Sequence, residues 1–140
     1  MNEVPEHFYQ QSAVLPFRLD LGRLEILLIT SRRRKRWVLP KGVVELDLTP
    51  AESAAKEAME EAGIEGVVAA KPIGEYSYEK WGGTCTVEVF PMAVQNTYDA
   101  WPENYRERHW LDPAEAAARV REPALQAMIL EFAANPPTRA

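Results

Sequence analysis

The chain has 140 residues, of which 46% are apolar and 26% are charged, and its formal charge is −5. This size predicts a single domain over residues 1–140 with its own core, and the negative charge argues against a partner that is a nucleic-acid polymer. No apolar run approaches the roughly 20 residues that span a bilayer, the N-terminus lacks a secretory segment, and the lone cysteine, Cys85, suits a reducing compartment. We therefore expect a cytoplasmic protein without membrane insertion.

The first third of the chain predicts short strands joined by turns. Residues 12–17 and 24–30 are apolar runs, and the turn signal at residues 20–22 predicts a hairpin between them. Residues 37–40 predict a short strand that a proline ends, and Lys41 and Gly42 are expected to begin a loop. Between these strands lie five consecutive cations: Arg32, Arg33, Arg34, Lys35 and Arg36.

Residues 50–62 predict a helix with signals at both ends. Thr49 can cap the helix, Glu52 completes a capping box, and Pro50 suits the first helical position. Alanines fill the interior, and Gly63 is placed to end the helix. The helix is therefore expected to end at residue 62.

The second half of the chain predicts three strands and two helices. Strands are expected at residues 67–70, 73–79 and 84–94, the last two as an antiparallel pair around a turn at residues 81–83. Asp112 predicts the cap of a short helix, and Pro123 begins another with an apolar face. This order of elements predicts an α/β (α+β) fold with a mixed β-sheet flanked by helices.

Three glutamates are crowded on the predicted central helix. Glu57, Glu60 and Glu61 are spaced at i, i+3 and i+4, which puts them on one stripe near the C-terminal end. Their repulsion and the helix dipole both disfavour this arrangement, and a divalent cation would compensate for it. Mg²⁺ is a suitable ion because it prefers hard oxygen ligands. The alternative is a solvated acidic face on which Lys56 pairs with neighbouring glutamates.

Residues 42–64 resemble the Nudix box, whose pattern is Gly, five residues, Glu, seven residues, then Arg-Glu-aliphatic-any-Glu-Glu-any-Gly-aliphatic. The residues in register, without a gap, are Gly42, Glu57, Glu60, Glu61, Gly63 and Ile64. The flanking WVLPKG and the order of elements extend the likeness over most of the chain. The resemblance implies a Nudix-type α/β/α sandwich.

Four positions depart from the family pattern. Leu48 replaces the first glutamate, Asp47 stands where glycine is frequent, and small Ala58 occupies an aliphatic position. Lys56 replaces an arginine and keeps its charge without the bidentate fork, with Glu45 as its candidate partner. We expect these changes to alter metal affinity without making the protein inactive.

The resemblance implies Mg²⁺-dependent hydrolysis, with Mn²⁺ as the alternative ion, of a phosphoanhydride bond. The substrate would be a nucleoside diphosphate linked to another group, or a dinucleoside or diphosphoinositol polyphosphate. Glu57, Glu60 and Glu61, with a backbone carbonyl near Lys41 or Gly42, are the implied metal ligands and catalytic groups. Glu61 is the implied general base. Because some family members take the base from a later loop, the reserve candidates are Glu103 and Glu107.

The basic run predicts how a multiply phosphorylated small molecule would bind. Arg34, Arg36 and Lys41 are the predicted substrate-binding residues, since arginine forks match phosphate geometry, and a solvated loop is the alternative. With the motif PKG, the run resembles the branch of Nudix hydrolases that acts on diphosphoinositol or dinucleoside polyphosphates.

Two further classes remain open from the sequence. A non-enzymatic Nudix-fold sensor would bind a nucleotide or polyphosphate and regulate a partner, and a plain interaction domain would only expose its acidic helix. Release of phosphate that depends on a divalent cation would distinguish the enzyme from both. The chain is expected to be a monomer or a homodimer.

Overall fold

A computed structural model describes residues 9–137 of the chain. The expectation that no secretory segment is present concerns residues 1–8 and lies outside this range. The strands are β1 Gln10–Asp20, β2 Arg23–Thr30, β3 Trp37–Val38, β4 Lys41–Val43, β5 Ile64–Val68, β6 Gly74–Lys80, β7 Gly83–Thr97 and β8 Arg108–Leu111. The helices are α1 Pro50–Ala62, α2 Pro113–Arg119 and α3 Pro123–Ala134. None of these helices has the length and apolar character needed to cross a bilayer.

The strands form one mixed sheet in the order β3-β2-β1-β7-β5, in which β4 also pairs with β1, β6 with β7, and β8 with β2. The central pair, β1 and β7, is parallel, and the other pairs are antiparallel. The predicted β1–β2 hairpin and β6–β7 pair are confirmed. At the first turn, Leu21 and Gly22 both have positive φ, as a tight hairpin connection requires.

Helices cover both faces of the sheet, which confirms the expected α/β/α sandwich. Alternate residues along β1 serve the two cores: Val14 packs with the helix α1, and Leu15 packs with α2 and α3. Helix α1 contributes three fully buried alanines, while α3 contributes Leu125 and Ile129. Each buried leucine or isoleucine stabilises the fold by about 1.5–3 kcal/mol.

The structure corrects three expectations about strands. Lys41 and Gly42 were expected to begin a loop, but they belong to β4, where Gly42 is opposite Ser12 of β1. Strand β5 begins at Ile64, directly after the helix, and not at residue 67. Strand β8 was not predicted from the sequence. Strands of three or four residues are stabilised by distant pairing partners, and therefore carry little local pattern.

Helix α1 has the predicted bounds, and both of its ends are capped. Thr49 Oγ1 accepts a hydrogen bond from the Glu52 backbone N–H at 3.1 Å, and Glu52 Oε1 accepts one from the Thr49 N–H at 2.8 Å. Gly63 has a φ of 63°, which is the left-handed conformation common after a helix. The capping box and the glycine stop are therefore confirmed.

The last carbonyls of this helix, and that of Gly63, are satisfied by a later part of the chain. An α-helix leaves its final C=O groups without partners inside the helix. Here the donors are the backbone N–H of Glu103 to Glu60, the indole N–H of Trp101 to Glu61, the Arg108 guanidinium to Ala62, and the Tyr98 N–H to Gly63, at 2.8–3.0 Å. The segment 98–108 thus fixes the helix end.

We expect Gly63→Ala to lower the free energy of unfolding by about 2–3 kcal/mol, because the φ is unfavourable and a Cβ would also meet the Trp101 ring at 2.8 Å. Urea unfolding measures this loss. Gly82→Ala is the matched control, since Gly82 has a φ of 73° but open space around it, and it should cost about 1 kcal/mol. Equal losses would show that the contact with Trp101 has no role.

Candidate active site

Two of the three helix glutamates meet strand β4. Gly42 lies directly against Glu57, where an added Cβ would come within 2.6 Å of Glu57 Oε1. The backbone N–H of Lys41 donates a hydrogen bond to Glu61 Oε1 at 3.2 Å. Glycine at position 42 is therefore required for the side chain of Glu57 to approach the strand, and the Lys41 amide orients Glu61.

Both carboxyl groups are electrostatically strained. Burial, followed by a hydrogen bond with Glu57, raises the pKa of Glu61 to about 8, although the nearby Arg106 guanidinium opposes the shift. Burial also raises the pKa of Glu57, with repulsion from Glu60 and Glu103 acting in the same direction. The pair is thus poorly stabilised as two anions and would gain from a cation between them.

Glu60 lies apart from this pair. At 100° per residue, Glu57 and Glu61 are about 40° apart around the helix, whereas Glu60 and Glu61 are about 100° apart. Glu60 does not line the cleft beside Glu57 and Glu61, and its backbone carbonyl accepts the N–H of Glu103. Glu60 is about 60° from Glu57 around the helix, so the predicted stripe of three carboxylates is kept, with Glu60 at its edge. The metal-binding role of Glu60 stays a prediction.

A cleft of about 700 Å³ opens beside the pair. Its walls come from the loop after β2, strands β4 and β6, the segment 98–108 and the α2–α3 connection. Eight cationic residues line it: Arg32, Arg33, Lys35, Arg36, Lys41, Lys80, Arg106 and Arg121. Its carboxylates are those of Glu57 and Glu61. A concave surface with this charge attracts anions, although the whole chain is acidic.

The structure brings two of the three predicted substrate-binding residues into this cleft. Arg36 and Lys41 line it, but Arg34 does not. Arg34 occupies a tight turn with a φ of 57°, and its N–H donates to the Ser31 carbonyl at 2.7 Å. Arg34 is thus the one member of the basic run outside the cleft lining, and the other four cations, Arg32, Arg33, Lys35 and Arg36, line it.

Several cleft residues were missed because they are distant in sequence. Arg106 is buried and donates to Glu103 Oε1 at 2.9 Å and to the Thr30 carbonyl at 3.0 Å. Neither Glu103 nor Glu107 lines the cleft, but Glu103 is held beside the end of α1 and repels Glu57, whereas Glu107 is exposed. Of the two reserve candidates for the base, the geometry favours Glu103.

The departures from the Nudix pattern leave the glutamate pair intact. Lys56 Nζ is 3.0 Å from both carboxylate oxygens of Glu45, so the expected ion pair is confirmed. The Leu48 N–H donates to the Glu45 carbonyl at 3.1 Å in the turn before α1. Leu48 lies in the bend before α1, outside the helix, whereas Glu57 and Glu61 lie in its last two turns.

The pair fits a hard divalent cation such as Mg²⁺, which typically takes one or two carboxylates and completes its shell with waters and phosphate oxygens. Within residues 9–137, no three His, Cys, Asp or Glu side chains form a complete metal-binding group, so such outer ligands would be needed. The buried Ser12 hydroxyl, opposite Gly42, has no hydrogen-bond partner among the described residues. Its strand partner, Gly42, is the residue against which Glu57 lies.

Fold and site together define an α/β/α sandwich whose central helix presents paired carboxylates to a cationic cleft. The model of the NUDIX domain matches residues 9–131, and the chain belongs to the Nudix family. Members of this family generally use divalent metal ions.

Relatives support the assignment. The chain is 36% identical over 122 residues to Nudix hydrolase 13, mitochondrial, of Arabidopsis thaliana, covering 79% of this chain but 60% of the relative. Diphosphoinositol polyphosphate phosphohydrolase 3-beta of Bos taurus is 28% identical, with 80% and 69% covered. The fold matches a C. elegans Ap4A hydrolase binary complex with a TM-score of 0.78 at 21% identity, covering 90% of this chain and 96% of that one.

The raised pKa of Glu61 predicts how stability depends on pH in chelator. Between the ordinary carboxyl pKa of 4.5 and about 8, the folded protein holds a proton that the unfolded chain has lost. Stability from this group is therefore full at low pH and falls as the pH rises. Glu61→Gln has the shape of the neutral carboxyl group and cannot lose a proton. At about pH 8 its free energy of unfolding should therefore exceed that of the wild type by about 1–2 kcal/mol, and its melting temperature should be higher.

Thermal melts in chelator across this range measure the effect. Glu75→Gln, on an exposed strand position, is the control and should keep the wild-type dependence on pH. If Glu61→Gln also kept it, the carboxyl pair would not be strained as described.

Proposed function

We propose that this chain is a pyrophosphohydrolase that cleaves a phosphoanhydride bond in a small polyphosphate with the help of a divalent cation, Mg²⁺ or Mn²⁺. One observation carries the proposal: the Glu57–Glu61 pair opens on a cleft lined by eight cationic side chains. The paired carboxylates suit a metal ion, and the surrounding cations suit a substrate with several phosphates.

The glutamates of α1 and the backbone of β4 have separate roles in the proposed reaction. Glu57 and Glu61, with Glu60 as a further predicted ligand, would hold the cation, and the β4 backbone at Lys41 and Gly42 would fix their positions. When bound, the cation would neutralise phosphate charge and lower the pKa of a coordinated water. Glu61 is the proposed acceptor of the proton from the attacking water, and Glu103 is the alternative.

The proposed substrate class is a nucleoside diphosphate derivative, a dinucleoside polyphosphate or a diphosphoinositol polyphosphate. Two similar proteins carry names of this kind, a diphosphoinositol polyphosphate phosphohydrolase and an Ap4A hydrolase. The expected cytoplasmic location stays a prediction, and the Arabidopsis relative, Nudix hydrolase 13, is named as mitochondrial. A monomer or a homodimer also stays a prediction.

Replacement of either paired carboxylate should abolish turnover. We expect Glu57→Gln and Glu61→Gln to reduce cation-dependent hydrolysis by about a hundredfold or more, because the amide removes charge but keeps shape. The assay follows phosphate release from nucleoside triphosphates, nucleotide sugars, dinucleoside polyphosphates and diphosphoinositol phosphates, with Mg²⁺ and with chelator.

Glu107→Gln is the control, because this exposed side chain does not line the cleft, and its turnover should match the wild type. Full activity of Glu61→Gln would remove Glu61 from the mechanism. If the folded wild-type protein hydrolysed no compound on the panel but bound one, the sensor function would replace the enzyme.

Adjacent arginines test the role of the cleft. Arg33 lines the cleft and Arg34 does not, so Arg33→Asn should raise KM for the most highly phosphorylated substrate by about three- to tenfold. Arg34→Asn should leave KM unchanged, and asparagine tolerates the positive φ at this position. Steady-state kinetics at fixed ionic strength measure both. Equal effects would mean that the loop acts only through its total charge.

A further inference from the structure

A chain of three polar side chains crosses the floor of the cleft. Lys41 Nζ lies 3.1 Å from Tyr78 Oη, and Tyr78 Oη lies 2.7 Å from Gln11 Oε1. The three residues belong to β4, β6 and β1, and all of them line the cleft. Gln11 is buried, and Lys41 also lies over the Tyr78 ring at 4.6 Å from its centre. This chain connects the strand that orients the carboxylates to the middle of the sheet.

The direction of each hydrogen bond in this chain is set by Lys41. An ammonium group has three donors and no acceptor, so Tyr78 Oη must accept from it. The one proton of the hydroxyl is then donated to Gln11, which must present its carbonyl oxygen to Tyr78. The Gln11 amide protons and the remaining ammonium protons are consequently left for other partners. Burial raises the pKa of Tyr78 to about 12, so the hydroxyl keeps its proton at neutral pH.

We propose that this ordered chain makes the cleft floor a donor-only surface that binds a phosphate group of the substrate. Gln11 and Lys41 would donate to the phosphate, and Tyr78 would act as a positioning residue that holds both in this orientation. The inference rests on the proposed function and deepens it by assigning a phosphate subsite that does not include the glutamate pair. Ionised phosphate oxygens are acceptors, so a floor that turned the Gln11 carbonyl outward would repel them.

Without its hydroxyl, residue 78 could not impose this order. In Tyr78→Phe the Gln11 amide is free to rotate and present its carbonyl to the phosphate, and Lys41 loses its fixed acceptor. Isothermal titration of inorganic tripolyphosphate, in chelator so that no turnover occurs, tests this directly. We expect Tyr78→Phe to weaken binding about tenfold. Tyr98→Phe, which removes an exposed hydroxyl bonded to Glu65, should bind as the wild type does.

A second variant separates phosphate binding from a structural role. Gln11→Glu retains an oxygen that accepts from Tyr78 but replaces the amide donor with an anionic oxygen. We expect this variant to melt near the wild-type temperature and to weaken binding by more than about tenfold. Gln10→Glu adds the same charge at the next residue, which is exposed and faces the other side of the strand, and it should have a much smaller effect.

Three outcomes would overturn the proposal: no binding of tripolyphosphate by the wild type, wild-type binding by Tyr78→Phe, or equal binding by Gln11→Glu and Gln10→Glu. Failure here is distinguishable from failure of the proposed hydrolysis. Glu61→Gln should keep its affinity for tripolyphosphate in chelator while losing turnover. A change at the floor should raise KM several-fold and leave kcat within about twofold.

Discussion

The site depends on an arrangement that an isolated helix would not maintain. Helix α1 carries Glu57 and Glu61 in its last two turns, where the helix dipole is negative and disfavours carboxylates. The later segment 98–108 counteracts this by donating hydrogen bonds to the final carbonyls and by placing the Arg108 guanidinium at the same end. Local sequence signals determine the helix, but its C-terminal end is stabilised by residues about forty positions later in the chain. A substitution in segment 98–108 that removes one of these hydrogen bonds should therefore alter the positions of Glu57 and Glu61.

Strand β4 then joins the two halves of the cleft. Successive residues of a strand face opposite sides of the sheet, so Lys41 and Gly42 contact different residues. The missing side chain of Gly42 leaves room for Glu57 on the α1 side, while the Lys41 ammonium contacts Tyr78 on the other side. The backbone between them holds Glu61 through the Lys41 N–H. A three-residue strand thus sets the distance between the carboxylate pair and the proposed phosphate-binding floor.

The parts of the fold that could be predicted are those with local signals. Capping residues and Gly63 set both bounds of α1, and turn residues located the hairpins. The site was predicted in part: the box located Glu57 and Glu61, but their separation from Glu60 depends on side-chain direction around the helix. Arg106 and Tyr78 could not be found, because only tertiary pairing brings them to the cleft. The basic run predicted the cationic wall in part, because four of its five residues line the cleft while Arg34 lies in a tight turn outside it.

The charges of the cleft are informative because they are mixed. A site that binds only an anion would be weakened by the half-buried carboxylate of Glu57 and the buried carboxylate of Glu61. Burial raises the pKa of both groups. A site for a cation alone would be weakened by eight cationic side chains around it. The carboxylate pair and the cationic side chains are both favourable only when the ligand carries positive and negative charge, as a polyphosphate with a bound divalent cation does. These charges therefore support the proposed metal–polyphosphate substrate, and we expect either component alone to bind less well than the two combined.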